Sequence, residues 1–329
     1  MKAFRKFAGL LFALVFISPS LLAQAWLFPK GGGTVTLSYQ NLFIREHVDG
    51  NGKPFDLGHI ISNVISVDTD YSITDKFAIK VGVPYVASRY YGAYPHQLSL
   101  DDGKYHSTLQ DVTLHFRYNL TNRAVVLTPF FRVGVPSHDY EYFAHSAAGK
   151  DQREYRFGMN VGRRLDPILP KAYVQGHYSF GIAQPVLDIR MKRSYSEFQF
   201  GYFLTPRLTL LGSGQWMYSH TGGKADFQAL LEGDPYGGLP PPVWPHHDQI
   251  SKSTLFDVTG GVAVTVKPST DVFASVGKSL HGTSGHLNAA VVSIGISRSF
   301  GTRFETTTTQ NGPGPAADSA FICTCPKLN

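Results

Sequence analysis

Beyond residue 17 the 329-residue chain has no apolar run long enough to make a membrane-crossing helix, which takes about 20 residues. Cysteine is almost missing: Cys323 and Cys325 are the only two. The main body therefore has no disulfide framework, and no lipid-attachment cysteine comes after the N-terminal apolar stretch. Charge is sparse, at 16% of residues, and nearly balanced. The formal +6 includes Lys2, Arg5 and Lys6, with no acid before residue 26, so the rest of the chain is near +3. That excludes the electrostatic footprint of a nucleic-acid binder. What is plentiful is glycine (33), phenylalanine (23) and tyrosine (17).

The three leading cations precede an apolar run, Phe7 to Ile17, then Ser18-Pro19-Ser20 and Ala23-Gln24-Ala25. A basic start, a short apolar core and a small-x-small end predict an export signal over 1–25, cut before Trp26. The run is too short for a membrane anchor.

The stretch Ile60 to Ala87 sets a pattern that the rest of the chain repeats. Ile61, Ile65, Val67, Tyr71 and Ile73 run down one side. Thr74-Asp75-Lys76 turns, and Phe77, Ile79, Val81, Val83 and Tyr85 return. Residues of opposite parity are mostly small or polar, which is the period-2 signature of a strand with one apolar and one wet face. Each arm exceeds the ~5–6 residues common in soluble strands and suits the ~9–11 of a tilted membrane-crossing one.

The plan recurs. Thr34 to Ile44 is the first strand, and Leu109 to Leu120 alternates Val112, Leu114, Phe116, Tyr118 and Leu120 with Asp111, Thr113, His115, Arg117 and Asn119. Val125–Val135, Tyr155–Leu165, Ala172–Ile182, Tyr195–Leu204, Leu208–Tyr218, Leu255–Val266, Asp271–Leu280 and Leu287–Phe300 complete the set. This predicts a closed antiparallel transmembrane β-barrel of about 12 strands over 26–300, an even number as bacterial single-chain barrels have. Connections alternate between short turns and long loops, the longest at 220–254. That asymmetry fits short periplasmic turns and long extracellular loops better than a soluble sandwich. The expected location is the bacterial outer membrane, with its lipid as partner. The stretch Trp26–Gly33 looks too small to plug the interior.

The last strand ends on Phe300 after Ser293, Gly295, Ser297 and Ser299 on its wet parity. It resembles the C-terminal signal read by the barrel-assembly machinery, the expected partner during insertion. Arg298 departs from that pattern, and the signal is internal. Residues 301–329 form a Thr/Gly/Pro-rich tail, expected to be disordered and periplasmic. Cys323 and Cys325 there offer a strained disulfide or a soft-metal cap; the plainer reading is a tail without a site.

Several segments resemble the outer-membrane transporters associated with phenol-degradation (meta) pathways, distantly like the long-chain fatty-acid transporters. They are Tyr71-Ser72-Ile73-Thr74-Asp75-Lys76-Phe77, Val83-Pro84-Tyr85-Val86, Gln110-Asp111-Val112-Thr113-Leu114, Gly134-Val135-Pro136 and Leu27-Phe28-Pro29. The resemblance implies passage of small hydrophobic or aromatic compounds. The short N-terminus departs from the long hatch of the fatty-acid transporters.

Lumen-facing parity collects Lys80, His115, Arg117, Arg132, Arg156 and Arg164 with Asp68, Asp70, Asp111, Glu197 and Asp257. These form either a charged conduit or cross-strand bracing, and near-balance of sign favours bracing. Pro84 and Pro136 lack the ladder donor and mark kinks near the upper strand ends; by resemblance such a kink could open a portal towards lipid. Tyr90, Tyr91, Tyr140, Tyr142 and Trp244 are either an apolar entrance for substrate or an interfacial girdle. Tyr94, Phe143 and Tyr236 belong with them.

Of thirteen histidines, eleven lie in or beside the predicted outer loops, among them His246-His247, His281 and His286. Imidazole suits zinc or copper, but no fixed ligand spacing appears, so no metal or cofactor is assigned. His138-Asp139 and His145-Ser146 lack the surroundings of a surface lipase, so no catalytic residue is assigned and the chain is not read as an enzyme. The leading reading is a passive channel for small hydrophobic or aromatic compounds. The alternatives are a non-transporting surface barrel working through its loops and, third, a surface hydrolase.

Overall fold

The computed structural model describes residues 24–223, 232–234, 236 and 238–301. Residues 1–23 of the expected export signal, and the tail after Gly301 with its two cysteines, lie outside them; Gln24 and Ala25, the last two residues of that expected signal, are described.

Twelve strands form one sheet: β1 (Gly33–Val48), β2 (His59–Thr74), β3 (Phe77–Tyr91), β4 (Val112–Tyr118), β5 (Val126–Val135), β6 (Glu154–Arg164), β7 (Ala172–Ala183), β8 (Lys192–Phe203), β9 (Leu208–Ser219), β10 (Thr254–Lys267), β11 (Thr270–Thr283) and β12 (Gly285–Phe300). Each pairs antiparallel with its sequence neighbours, and β12 pairs with β1 from Gly33↔Phe300 to Val48↔Gly285. The sheet thus closes on itself, which leaves no strand edge to face lipid unpaired.

Side-chain alternation maps onto the two faces. Leu37, Ile65, Phe157 and Ile294 point outward and are 48–55% exposed, whereas Thr34, Ser72, Thr128 and Ser293 on the opposite parity are buried inside. Aromatic side chains mark the outer face near both ends: Tyr71 stacks on Phe300 by the short turns, and Tyr155, Trp216 and Tyr218 stand nearer the long loops. This apolar, girdled exterior is what a hydrocarbon layer requires.

The short turns share a device. Thr74 Oγ1 accepts from the Lys76 and Phe77 amides (3.2 and 3.0 Å), and Thr205 Oγ1 from Arg207 and Leu208 at the same two distances. A hydroxyl that supplies the missing backbone acceptor lets the chain reverse in three residues.

Glycines directly opposite aromatics shape the inner wall. Phe130 lies over Gly158, Tyr173 over Gly201 and Phe273 over Gly295, each ring where a Cβ would otherwise sit.

Three sequence expectations need correction here. The strand predicted over Leu109–Leu120 is broken: His106–Leu109 pairs with β3, then β4 begins at Val112. Between Tyr85↔Leu109 and Gly82↔Thr113 three residues face two. Pro84 sits there, accepts from the Gln110 amide (3.0 Å) and has no N–H to return, so the bulge results from its chemistry. Pro136, by contrast, falls one residue past β5 and ends that strand rather than kinking it.

The third correction concerns the N-terminal segment: short as it is, it fills one end of the barrel. Ala25, Trp26, Leu27 and Phe28 are all buried. From the β2–β3 turn, where the Lys30 amide donates to Asp75 (2.8 Å), the chain crosses to the far wall. Trp26 packs there with Val126, Tyr173 and Leu211, edge-on to the Tyr173 ring at 5.9 Å. Thr128 donates to the Ala25 carbonyl (2.6 Å) and Arg117 to that of Gln24 (3.0 Å); a cut before Trp26 removes these two bonds and leaves the Trp26, Leu27 and Phe28 packing. A twelve-stranded ring is narrow enough for one tryptophan and its neighbours to make a floor.

Candidate functional site: the lumen and its histidine-lined mouth

Above that floor lies a cavity of about 620 Å³, and under the outer loops a second of about 330 Å³; both are bordered by Met217 and Leu255.

The lower cavity is lined by Asp68, Lys80, His115, Arg132, Arg156, Glu197 and Asp257 among others. Its cations are ordered by strand register. Lys80 faces His115, His115 faces Arg132, Arg132 faces Arg156, Arg156 faces Gly181 and Gly181 faces Arg193. Like charges directly opposite one another repel, as the Arg132 and Arg156 guanidinia do, so this row across six strands needs counter-charge. Glu154 supplies part of it, pairing with Arg156 and Arg193 (3.2 Å to the latter) and accepting from the Tyr195 hydroxyl at 2.7 Å. The Arg156 guanidinium also lies 3.5 Å over the Tyr195 ring. Lys80 pairs with Asp68 (3.2 Å). Arg132 has no acid within 4 Å among the described residues.

Other predicted lumen residues divide by height. Arg117 and Asp70 form a buried ion pair beside the floor. Asp111 accepts from the Tyr140 hydroxyl near the upper rim, and Asp257 from Ser279 (2.6 Å). Arg164 is not in the lumen: it is exposed at the short-turn rim, bonded to Asp166 at 2.9 Å. Its parity is inward, but the strand ends there.

The mouth is covered by three loops, between β3 and β4, β5 and β6, and β9 and β10. Part of the 220–254 insertion does turn inward. A 3-10 turn, Trp244–His246, leads into a single helical turn, α1 (His247–Ile250). Trp244 is buried and stacked on His247 (4.4 Å), packed by Phe55, Phe143 and Leu239. Tyr90 is buried against His145 (4.2 Å) and donates to the Leu57 carbonyl; Tyr142 stacks on His246 and borders the upper cavity. Tyr140 is likewise buried. Tyr91 departs from this group: next to Tyr90 on the outward parity, it is 66% exposed and lines nothing inside.

Between these aromatics the histidines converge, which local spacing could not disclose. His47 is the next-to-last residue of β1 and His286 the second of β12, directly opposite it. His96 comes from the β3–β4 loop, His145 from the β5–β6 loop, and His247 and Asp248 from α1. The ligating atoms of His47, His145 and His286 lie within 4.8 Å of one another, as do those of His96, His247 and Asp248. His96 and His145 join the two groups, ring centroids 3.8 Å apart. Burial lowers the pKa of His96 to about 2 and of His145 to about 4, so both imidazoles are neutral. Burial alone would raise the Asp248 carboxyl, but the surrounding imidazoles, His247 first, hold it below its usual range. Lys150, bordering the same cavity, is lowered to about 8 by burial.

Neither residue pair weighed for catalysis forms a nucleophile–base dyad. Ser137 donates to the Leu109 carbonyl (3.1 Å), and His138 sits between the Ser137 and Thr108 hydroxyls with no carboxylate to orient it. Ser146 is held by Asp101 at 2.8 Å, and His145 Nε2 by the Tyr94 carbonyl at 2.9 Å.

No protein-family model matches the chain, and no curated protein matches its sequence. Among solved structures, an outer membrane channel from Pseudomonas putida F1 superposes with a TM-score of 0.64 at 12% identity, covering 86% of this chain and 100% of that one. The NanC porin gives 0.45 at 8% identity, over 81% of this chain and 98% of that one. Closed by twelve antiparallel strands and clothed outside in apolar and aromatic side chains, this chain is a β-barrel of the bacterial outer membrane.

Proposed function

We propose that the barrel is a passive channel for small solutes with an apolar or aromatic body, and that its inner cations favour those carrying negative charge. The lumen row from Lys80 through Arg132 and Arg156 to Arg193 carries this reading, because Arg132 faces the cavity and has no acid within 4 Å among the described residues. The upper cavity complements it. Ile44, Val48, Ile60, Met217, Leu255 and Leu287 give it an apolar wall, and its volume is about twice the ~150 Å³ that holds benzene in an engineered site. The motif resemblance to phenol-degradation transporters supports the same solute class.

A lateral route is also favoured by one observation. Above Val112↔Val135 the segment His106–Leu109 pairs with β3 alone, and only side chains, Ser137 to the Leu109 carbonyl and His138 to Thr108, bridge towards β5. The backbone ladder between β4 and β5 stops there.

Purified barrel in planar bilayers under a salt gradient tests the charge selection. The parent protein is anion-selective, and Arg132→Glu moves the reversal potential towards cations. In vesicles, a small aromatic carboxylate enters faster than a neutral sugar of similar size. Cation selectivity in the parent overturns the role of the row. An absence of both conductance and uptake returns the reading to a non-transporting surface barrel.

A further inference from the structure

The histidine cluster at the mouth has a geometry that aromatic packing does not require. His47 Nε2 lies 3.5 Å from His145 Nδ1, His96 Nε2 lies 3.4 Å from His247 Nε2, and His247 Nε2 lies 3.5 Å from Asp248 Oδ2. These are long for direct hydrogen bonds, which cluster at about 2.7–3.2 Å. They match the edge of a tetrahedron of ligands about 2.0–2.1 Å from a central ion, which is roughly 3.4 Å.

The second ring nitrogens point to the same use. His145 Nε2–H donates to the Tyr94 carbonyl (2.9 Å), leaving the Nδ1 lone pair aimed at His47. His247 Nδ1–H donates to the Trp244 carbonyl (2.8 Å), leaving Nε2 towards His96 and Asp248. A backbone carbonyl that fixes the tautomer and aims the free nitrogen is the usual outer support of a metal-binding imidazole. Asp101 steadies the loops further, accepting from the backbone amides of His96, His145 and Ser146 at 2.9–3.0 Å. His47, only 2% exposed, keeps a buried Nδ1 with no partner.

We propose that this cluster binds a divalent transition-metal cation, zinc or copper(II), centred on His47, His145 and His286, with His96, His247 and Asp248 as an adjoining ligand set. Imidazoles with one carboxylate suit these ions rather than calcium or magnesium, which take oxygen. His145, His286 and Asp248 border the upper cavity, so the bound ion keeps a face open to it. The ligands come from both strands of the β1–β12 closure and from all three covering loops. The ion thereby fastens the cover to the wall. Where it alters conductance, that effect rests on the channel reading; binding itself does not.

The test uses the full-length refolded protein in detergent, stripped with EDTA and titrated calorimetrically with zinc chloride, copper(II) chloride and, as control, magnesium chloride. Zinc and copper bind with at least micromolar affinity and magnesium does not. The double substitution His145→Ala/His286→Ala weakens zinc binding at least ~10-fold, the lower end of what loss of a mere orienting partner costs. His281→Ala, at an exposed site, leaves it unchanged. Folding of each variant is verified by the heat-dependent gel mobility of the intact barrel. The proposal is overturned if zinc gives no binding heat up to 1 mM (~1000-fold above that limit), or if the folded double variant binds as the parent does.

Discussion

Trp26 is the keystone of the floor, so its removal has a calculable effect. Its indole is 6% exposed and packed among Val126, Tyr173 and Leu211. Deleting a buried aromatic of this kind costs about 3–5 kcal/mol, and the floor bears most of that cost because the strand ladders remain intact. At 1.4 kcal/mol per decade, the balance between docked and undocked segment moves by ~10²–10⁴. Single-channel recording of Trp26→Ala shows a larger or longer-lived open level than the parent, while Trp26→Phe stays close to it. A wall substitution provides an independent arm: a Cβ on Gly162 would lie 2.7 Å from both the Trp26 ring and the Ala25 Cβ, so Gly162→Val expels the segment by steric clash with its own sequence unchanged. With Trp216 and Trp244 replaced by phenylalanine, Trp26 is the sole tryptophan and is excited selectively over tyrosine at the red edge. Its fluorescence is blue-shifted and shielded from acrylamide in the parent, and red-shifted and quenched in Gly162→Val. Identical quenching and identical conductance in all variants refute the floor.

Other outcomes rest on single contacts. Arg117→Ala strands the buried Asp70 carboxylate, so denaturant unfolding in lipid shows a loss of about 3–5 kcal/mol, largely recovered in Arg117→Met/Asp70→Leu. Ile65→Arg places a cation on the outward face of β2; it costs about 2–4 kcal/mol in bilayers if that face meets hydrocarbon, and a cost near zero contradicts the lipid assignment. Gly201→Ala drives a Cβ into the Tyr173 ring that covers it, lowering stability by about 1–3 kcal/mol in the same assay. Tyr140→Phe removes the donor to Asp111 and costs about 1–3 kcal/mol, read as earlier proteolytic cutting of the β5–β6 loop.

The barrel was legible because its information is local. A residue's parity along β2, β3 or β4 decides lipid or lumen, and neighbours two positions away repeat the decision. The Thr74 and Thr205 turns are likewise written in three residues. Boundaries were harder, with consequences for the site. Beginning the sixth strand at Tyr155 and the eighth at Tyr195 left out Glu154 and Arg193, which organise the counter-charge of the lumen. Both were findable, since each sits two residues before an inward-facing member of the same strand. The mouth could not be read that way. His47 and His286 are 239 positions apart and meet only because β1 and β12 close the ring. His96, His145 and His247 join them through loop folds that no period encodes. The floor escaped notice for a related reason: a few apolar residues suffice only when the ring is known to be narrow.

The cover over the mouth also has a mechanical consequence. Arg193, rooted in β8, donates to the Gln249 carbonyl of α1 (3.1 Å), and Gln249 in turn donates to the Lys150 carbonyl (2.7 Å). On the opposite side, His145 of that same loop meets His47 and His286 at the closing seam. The cover is thus a tie-rod strung across the barrel's diameter. Ovalisation of the cylinder, whether from membrane tension or lateral crowding, must load that rod and pull on the seam from within.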